Sequence, residues 1–153
     1  MPGGEVFRSR RPVAFGDVDY ARILYYPKLL HYCHQAFEAF VGEVAGMHYS
    51  EFLSVADLGF PAVRAEVDYI LPIPYGVDLE LSVQVLAIGT KSLTLRYRGR
   101  IEKDEPFRVE AKVTTVLVKM ATFESLAIPD DIRRNLERFM VPAKASPKAD
   151  STG

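Results

Sequence analysis

With a single cysteine, Cys33, the chain can form no internal disulfide. No apolar run reaches the ~18 residues a membrane-crossing helix needs. Met1-Pro2-Gly3-Gly4 does not supply a charged segment leading into an apolar one, so the expectation is a soluble, cytoplasmic protein with no membrane partner. Charge of one sign is not in excess either: 19 Lys and Arg stand against 20 Asp and Glu, for a formal net charge of -1. No global attraction draws such a chain to nucleic acid, and no nucleic-acid partner is expected. Three common catalytic signatures are also missing, the G-x-S-x-G elbow, the Walker loop and the dinucleotide G-x-G-x-x-G. What the 153 residues do hold is 48% hydrophobic and 25% charged side chains, enough for one domain with a real core. Residues 1–140 read as that single domain, and 141–153, rich in Pro, Lys, Ala, Ser and Asp, as a disordered tail.

The order of elements follows from periodicity. Residues 6–15 read as a strand, with Phe7, Val13 and Phe15 on one parity and Arg8 and Arg10 on the other; Arg11 breaks the pattern. From Pro27 to about Val44, the residues Leu29, Leu30, Cys33, Phe37, Phe40, Val41 and Val44 recur at helical spacing, and Pro27 suits a first helical position. A short helix over residues 49–58 should stop at Gly59, with Pro61 beyond. Four long strands follow, over residues 62–71, 77–88, 91–101 and 107–119. The two to five turn residues between them predict antiparallel hairpins, hence a meander. Residues 129–139 read as a last helix that caps an edge. The sum is an α+β fold in which a curved antiparallel sheet must cover one long helix.

The junction between first strand and first helix holds the most chemistry. Phe15-Gly16-Asp17-Val18-Asp19-Tyr20-Ala21-Arg22-Ile23-Leu24-Tyr25-Tyr26-Pro27 places two carboxylates just ahead of a helix N-terminus. Unpaired N–H groups and the positive end of the helix dipole can polarise a carbonyl oxygen while an Asp attacks its carbon or directs water at it. Asp17 reads as the structural member of the pair.

With Val67-Asp68-Tyr69, the turn Pro74-Tyr75-Gly76-Val77-Asp78 and the segment Lys91-Ser92, that junction resembles the hotdog-fold acyl-CoA thioesterases of the 4-hydroxybenzoyl-CoA thioesterase type. The resemblance implies a hotdog fold and hydrolysis of an acyl-CoA or acyl-carrier thioester to the free acid and thiol, with no metal or other cofactor. It maps the catalytic carboxylate onto Asp19, as nucleophile or general base, and the carbonyl-polarising backbone N–H onto Tyr26. Lys91 and Ser92 fall in the segment that contacts the coenzyme A nucleotide. Hotdog thioesterases pair as dimers with a continuous sheet and an active site at the dimer interface, so the expectation here is at least a dimer, and a tetramer by further assembly. One departure concerns substrate: the family commonly has Gly where this chain has Arg22, which would narrow the acyl pocket or add charge to it.

Further substrate-binding candidates are Tyr25 beside the oxyanion position, His34 two turns along the helix, and Arg64 after the Gly59-Phe60-Pro61 bend. His31, Cys33 and His34 make a poor zinc signature, and Cys33 sits on the apolar stripe as a core residue. Arg96, Arg98 and Arg100 share one strand face, read first as cross-strand charge pairing and second as a phosphate site. Two other classes stay open at this stage. One is a hotdog dehydratase or hydratase using His34 and Glu38; the other is a non-catalytic acyl-CoA-binding module.

Overall fold

The computed structural model describes residues 3–142. Along it run β1 (Phe7–Pro12), a 3-10 turn (Phe15–Asp17), α1 (Lys28–Ala45), α2 (Tyr49–Ser54), β2 (Leu58–Gly59), β3 (Ala62–Tyr69), β4 (Asp78–Ile88), β5 (Ser92–Arg100), β6 (Val109–Val116), β7 (Val118–Lys119) and α3 (Asp130–Glu137). Five strands form one antiparallel sheet in the order β1-β4-β5-β6-β3, and β2 pairs with β7 in a small second sheet.

α1 buries Leu29, Tyr32, Cys33, Ala36, Phe37, Phe40, Val41 and Val44, the stripe its sequence period sets out. Gly46, at φ +72°, ends it in the left-handed region that glycine adopts without steric cost. Against that stripe lie Leu79, Leu81, Val83 and Val85 of β4, Leu93, Leu95 and Tyr97 of β5, and Val109 and Ala111 of β6. Each large apolar side chain so buried contributes about 1.5–3 kcal/mol, which makes the helix and the inner face of the sheet a single core. Gly99 marks the tightest point of that face: a Cβ there would stand 2.8 Å from Val109 Cγ1 and 3.1 Å from Leu79 Cδ1.

Two expectations about this layout need correction. The strand at 62–69 does not turn back on β4. It pairs with β6 at the far edge, so Pro72-Ile73-Pro74-Tyr75-Gly76 is a crossover rather than a hairpin turn. Two prolines disfavour a tight ladder there, and the segment instead packs under the α1 start, where Ile73 is buried and its carbonyl accepts the Leu24 N–H at 2.7 Å. The last long strand also ends early, at Val116. Leu117 donates its N–H to Lys91 O and β7 leaves for β2, antiparallel to it with Leu58 opposite Lys119. The second helix stops at Ser54 for a related reason, since Leu58 and Gly59 are already extended.

At the other edge of the sheet β1 ends, and β4 would be bare beyond Val83. The chain after α3 covers it there: Val85 N–H donates to Phe139 O and Val141 N–H to Val85 O. Val141 is therefore held, and of the expected tail, residues 143–153 lie outside the described residues. β3 has no such cover. Its second edge carries no strand among the described residues, and its side chains are mostly exposed.

Candidate active site

The loop between β1 and α1 is fixed from beneath by Asp17. Tyr32, almost fully buried on α1, donates its hydroxyl to Asp17 Oδ2 at 2.6 Å and accepts the Ala14 N–H at 3.0 Å. Lys28 Nζ lies 3.7 Å from the other carboxylate oxygen, and the Asp17 carbonyl accepts the Tyr25 N–H at 2.8 Å. Burial, then the hydrogen bond to Asp17, raises the Tyr32 hydroxyl above its ordinary pKa, so it stays a donor. Asp17 is thus spent on structure.

Asp19 is arranged differently. A tight turn closes over it, with Arg22 N–H donating to Asp19 O at 2.9 Å and Asp19 N–H to Ile23 O at 3.0 Å. Its Oδ1 accepts the Ala21 N–H at 2.8 Å, and its second oxygen has no partner among the described residues. The turn places Arg22 at φ +68°, in the left-handed region. A glycine at that position costs nothing and an arginine costs about 1–2 kcal/mol, which gives the usual family residue a physical reason.

Asp19 and Tyr26 line the same cavity, of about 420 Å³, walled by Ile23, Leu24, Tyr69 and the crossover residues Ile70, Leu71, Pro72 and Ile73. No acceptor among the described residues takes the Tyr26 N–H. The carbonyl of the same peptide, Tyr25 C=O, accepts the Lys28 N–H at 2.8 Å, which orders that peptide dipole along the helix start and polarises its free N–H. On the next peptide, Tyr69 donates its hydroxyl to Tyr26 O at 2.6 Å. Chemically, the cavity joins an ionisable carboxylate oxygen to a fixed hydrogen-bond donor, within apolar walls that suit an acyl group.

The other residues expected at the site are scattered. Tyr25 packs its ring on Tyr26, 5.5 Å between centroids, outside the cavity lining. Arg22 is exposed on the turn itself. Arg64 lies on the outward face of β3 with Nη2 3.4 Å from Glu66 Oε2, outside the lining of that cavity. Lys91 donates to Ser125 Oγ at 3.1 Å, and Ser92 opens β5; neither lines the Asp19 cavity. The arginine row is engaged within the sheet: Arg96 with Gln84 Oε1 at 2.8 Å, Arg100 with Glu80 Oε1 at 3.0 Å, and Arg98 over the Phe107 ring at 4.3 Å.

His34 lines a second apolar cavity, of about 360 Å³, between α1, α2, β3 and β6. Cys33 is in its wall, and burial pushes that thiol up to about 12, which makes it inert as a nucleophile. No cluster of His, Cys, Asp and Glu able to hold a metal occurs among the described residues. The sequence reading missed Tyr69 as the clamp on Tyr26 and missed this second cavity whole. Tyr69 sat in a motif already singled out, but its bond spans 43 residues and local pattern does not carry such pairs.

The model of the Thioesterase-like superfamily matches residues 13–136. A 1,4-dihydroxy-2-naphthoyl-CoA hydrolase of Synechococcus elongatus is 34% identical over 92 residues, covering 60% of this chain and 68% of that one. A protein of the same name from Nostoc punctiforme is 29% identical over 133 residues, 86% of each chain. Among solved structures, a thioesterase-superfamily protein from Jannaschia sp. CCS1 superposes with a TM-score of 0.81 at 28% identity, covering 94% of this chain and 99% of that one. A 1,4-dihydroxy-2-naphthoyl-CoA thioesterase from Synechocystis gives 0.76 at 20% identity, over 86% and 96%, a likeness of fold. A curved antiparallel sheet around one long helix, a carboxylate with a free oxygen at that helix's start and a family match over most of the chain agree: this protein belongs to the Thioesterase-like superfamily and is a hotdog-fold thioester hydrolase.

Proposed function

We propose that the chain hydrolyses an aryl-CoA thioester with Asp19 as the catalytic carboxylate and the Tyr26 N–H as the donor to the thioester oxygen. The observation that carries this reading is their meeting on one cavity, each with its reactive atom unspent. A thioester carbonyl is electrophilic and thiolate leaves readily, so a carboxylate and one oxyanion donor suffice. The free Asp19 oxygen attacks the acyl carbon, or takes a proton from the water that does. By either route one water is consumed, the C–S bond breaks, and the acid and the protonated thiol depart. The naphthoyl-CoA esters for which the relatives are named, and Tyr26 and Tyr69 in the cavity wall, support an aromatic acyl group.

The working unit is a dimer through β3. A free, exposed strand edge with Val63, Ile70 and Leu71 bare around it needs covering. Antiparallel pairing about a two-fold near the middle of β3 brings the Tyr69 end of one protomer's edge beside the Ala62 end of its partner's. Ala65 and Tyr69 face the helix side of the sheet, with Val113 and Val109 opposite them on β6. The Asp19 cavity at one end of the edge therefore meets the partner's second cavity, lined by Ala62 and Ala65, at the other. Two such dimers make the proposed tetramer, which sedimentation velocity distinguishes from a dimer.

Thiol release tests the catalytic reading. Across short-chain, long-chain and aryl acyl-CoAs, aryl esters should turn over fastest, and Asp19→Asn should lose at least about a thousandfold in kcat, as expected for removing the reacting group, while keeping its fold. Wild-type turnover in a folded Asp19→Asn preparation would sink it. The histidine and acid that a hydratase needs are paired, His34 Nε2 to Glu38 Oε2 at 3.2 Å, with His34 in the lining of the second cavity and Glu38 outside it. Loss of an enoyl-CoA double bond without thiol release would favour that chemistry instead.

A further inference from the structure

Residues 70–73 wall the Asp19 cavity without belonging to any strand or helix. Pro72 has no N–H to donate, so the segment has few ways to be held. Its later part is tied to the catalytic loop: Leu24 N–H donates to Ile73 O at 2.7 Å, and Tyr75 N–H to Arg22 O at 3.2 Å. Its earlier part is tied to one residue. Arg108 O accepts the Ile70 N–H at 2.8 Å and the Leu71 N–H at 3.0 Å, while the Arg108 guanidinium donates through Nη1 to Pro72 O at 2.6 Å. Among the described residues, 70–72 make no other hydrogen bond.

Arg108 is itself fixed before it reaches the wall. Its N–H donates to Gly99 O at 2.7 Å, and Nε and Nη2 fork onto the two oxygens of Glu105, each at 3.2 Å. Glu105 Oε2 also accepts the Ile101 and Glu102 N–H groups, at 2.8 and 2.9 Å. The bond from Arg108, then that from Ile101, lowers the Glu105 carboxyl to a pKa of about 2, so the pair keeps both charges near neutral pH. Two arms of the guanidinium grip Glu105 and the third is left for Pro72 O. A lysine ammonium cannot copy that planar fork.

Placement of the wall matters because hydrolysis needs the acyl carbon about 3–3.5 Å from the attacking oxygen. Asp19 and Tyr26 come from one segment, and the surface that holds an acyl group against them comes from another. We propose that Arg108 is a positioning residue for thioester hydrolysis: braced by Glu105, it holds the 70–73 wall at the spacing from Asp19 and the Tyr26 N–H that lines up the acyl carbon for attack. This rests on the thioesterase reading above. Arg108 is outside the cavity lining and acts through Leu71 and Pro72.

The test is steady-state thiol release from benzoyl-CoA by wild type, Arg108→Ala, Arg108→Lys and Glu105→Gln, well below each Tm and per mole of folded protein, with sedimentation velocity on each variant. A wall that drifts by about 1 Å costs alignment, so Arg108→Ala should lose about ten- to a hundredfold in kcat, with KM within about threefold of wild type. Arg108→Lys, which can reach Pro72 O or Glu105 but not both, should fall between the two. Glu105→Gln leaves the Pro72 bond and an acceptor for the two N–H groups, so its loss should be smaller. Should Arg108→Ala fail to fold, Arg108→Lys and Glu105→Gln carry the test. An unchanged kcat with a lowered Tm would mark Arg108 as merely structural and overturn the proposal. A rise in KM alone would do the same, as would a loss of kcat that tracks dissociation into monomers. Failure of the parent reading is separate: it would appear as wild-type turnover by folded Asp19→Asn, whatever the Arg108 variants do.

Discussion

Tyr32→Phe isolates the bond on which the loop rests. Phenylalanine fills the same buried space beside α1 but removes a 2.6 Å hydrogen bond to the Asp17 carboxylate and the acceptor of the Ala14 N–H at 3.0 Å. A hydrogen bond to a charged group contributes about 1.5–3 kcal/mol, and a part-buried N–H left without its partner adds to that, for a total of about 2–4 kcal/mol. In a domain of this size each kcal/mol moves Tm by about 2–4 °C, so thermal unfolding should fall by about 5–15 °C. Because Asp17 O also holds the Tyr25 N–H, kcat measured well below Tm should drop too, with the loop no longer fixing Asp19 against Tyr26. Calorimetry with steady-state thiol release gives both numbers. A Tm within about 2 °C of wild type, together with unchanged kcat, would refute the claim that this hydroxyl sets the site.

Arg22→Gly removes a left-handed arginine at the cost of added chain entropy in the unfolded state; a net gain of about 0.5–1 kcal/mol is expected in urea unfolding, and a loss would show that the arginine side chain stabilises the turn. Stability should also decline in alkali. The Cys33 thiol, pushed up to about 12 by burial, and the Tyr97 hydroxyl, raised well above its ordinary value by the same cause, bind their protons more tightly folded than unfolded. Their contribution is complete below the unfolded thiol's pKa, 9.0, and is lost as pH climbs from there toward 12, at up to about 1.4 kcal/mol per pH unit for each group. A urea midpoint that stays level from about pH 8 to about pH 11 would contradict it.

Legibility in the sequence followed the range of the interactions. α1 was readable to within a residue or two because its stripe of Leu29, Cys33, Phe37, Phe40 and Val44 repeats locally, and Gly46 closes it. β4 and β5 were readable from alternation. The position of β3 was not, because strand order depends on which edge the Pro72–Gly76 crossover reaches, and turn residues alone suggested a hairpin. At the site, Asp19 and Tyr26 were singled out because they lie in one short segment that resembles a family motif, and both line one cavity, while the Tyr69 clamp and the walls of both cavities come from residues far apart in the chain. Arg64 looked available in sequence, but strand parity points it outward to Glu66.

Mixed dimers test most directly whether a carboxylate of one protomer acts on an acyl group held by the other. Asp19→Asn removes the carboxylate, and Ala65→Trp fills the second cavity; His34→Trp serves as an alternative block should Ala65→Trp fail to fold. Each homodimer should be nearly inactive. The hybrid, co-expressed with two tags and purified through both, places an intact Asp19 against an intact partner cavity at one of its two sites, so about half of wild-type turnover should return. A hybrid no more active than its parents would contradict the shared site.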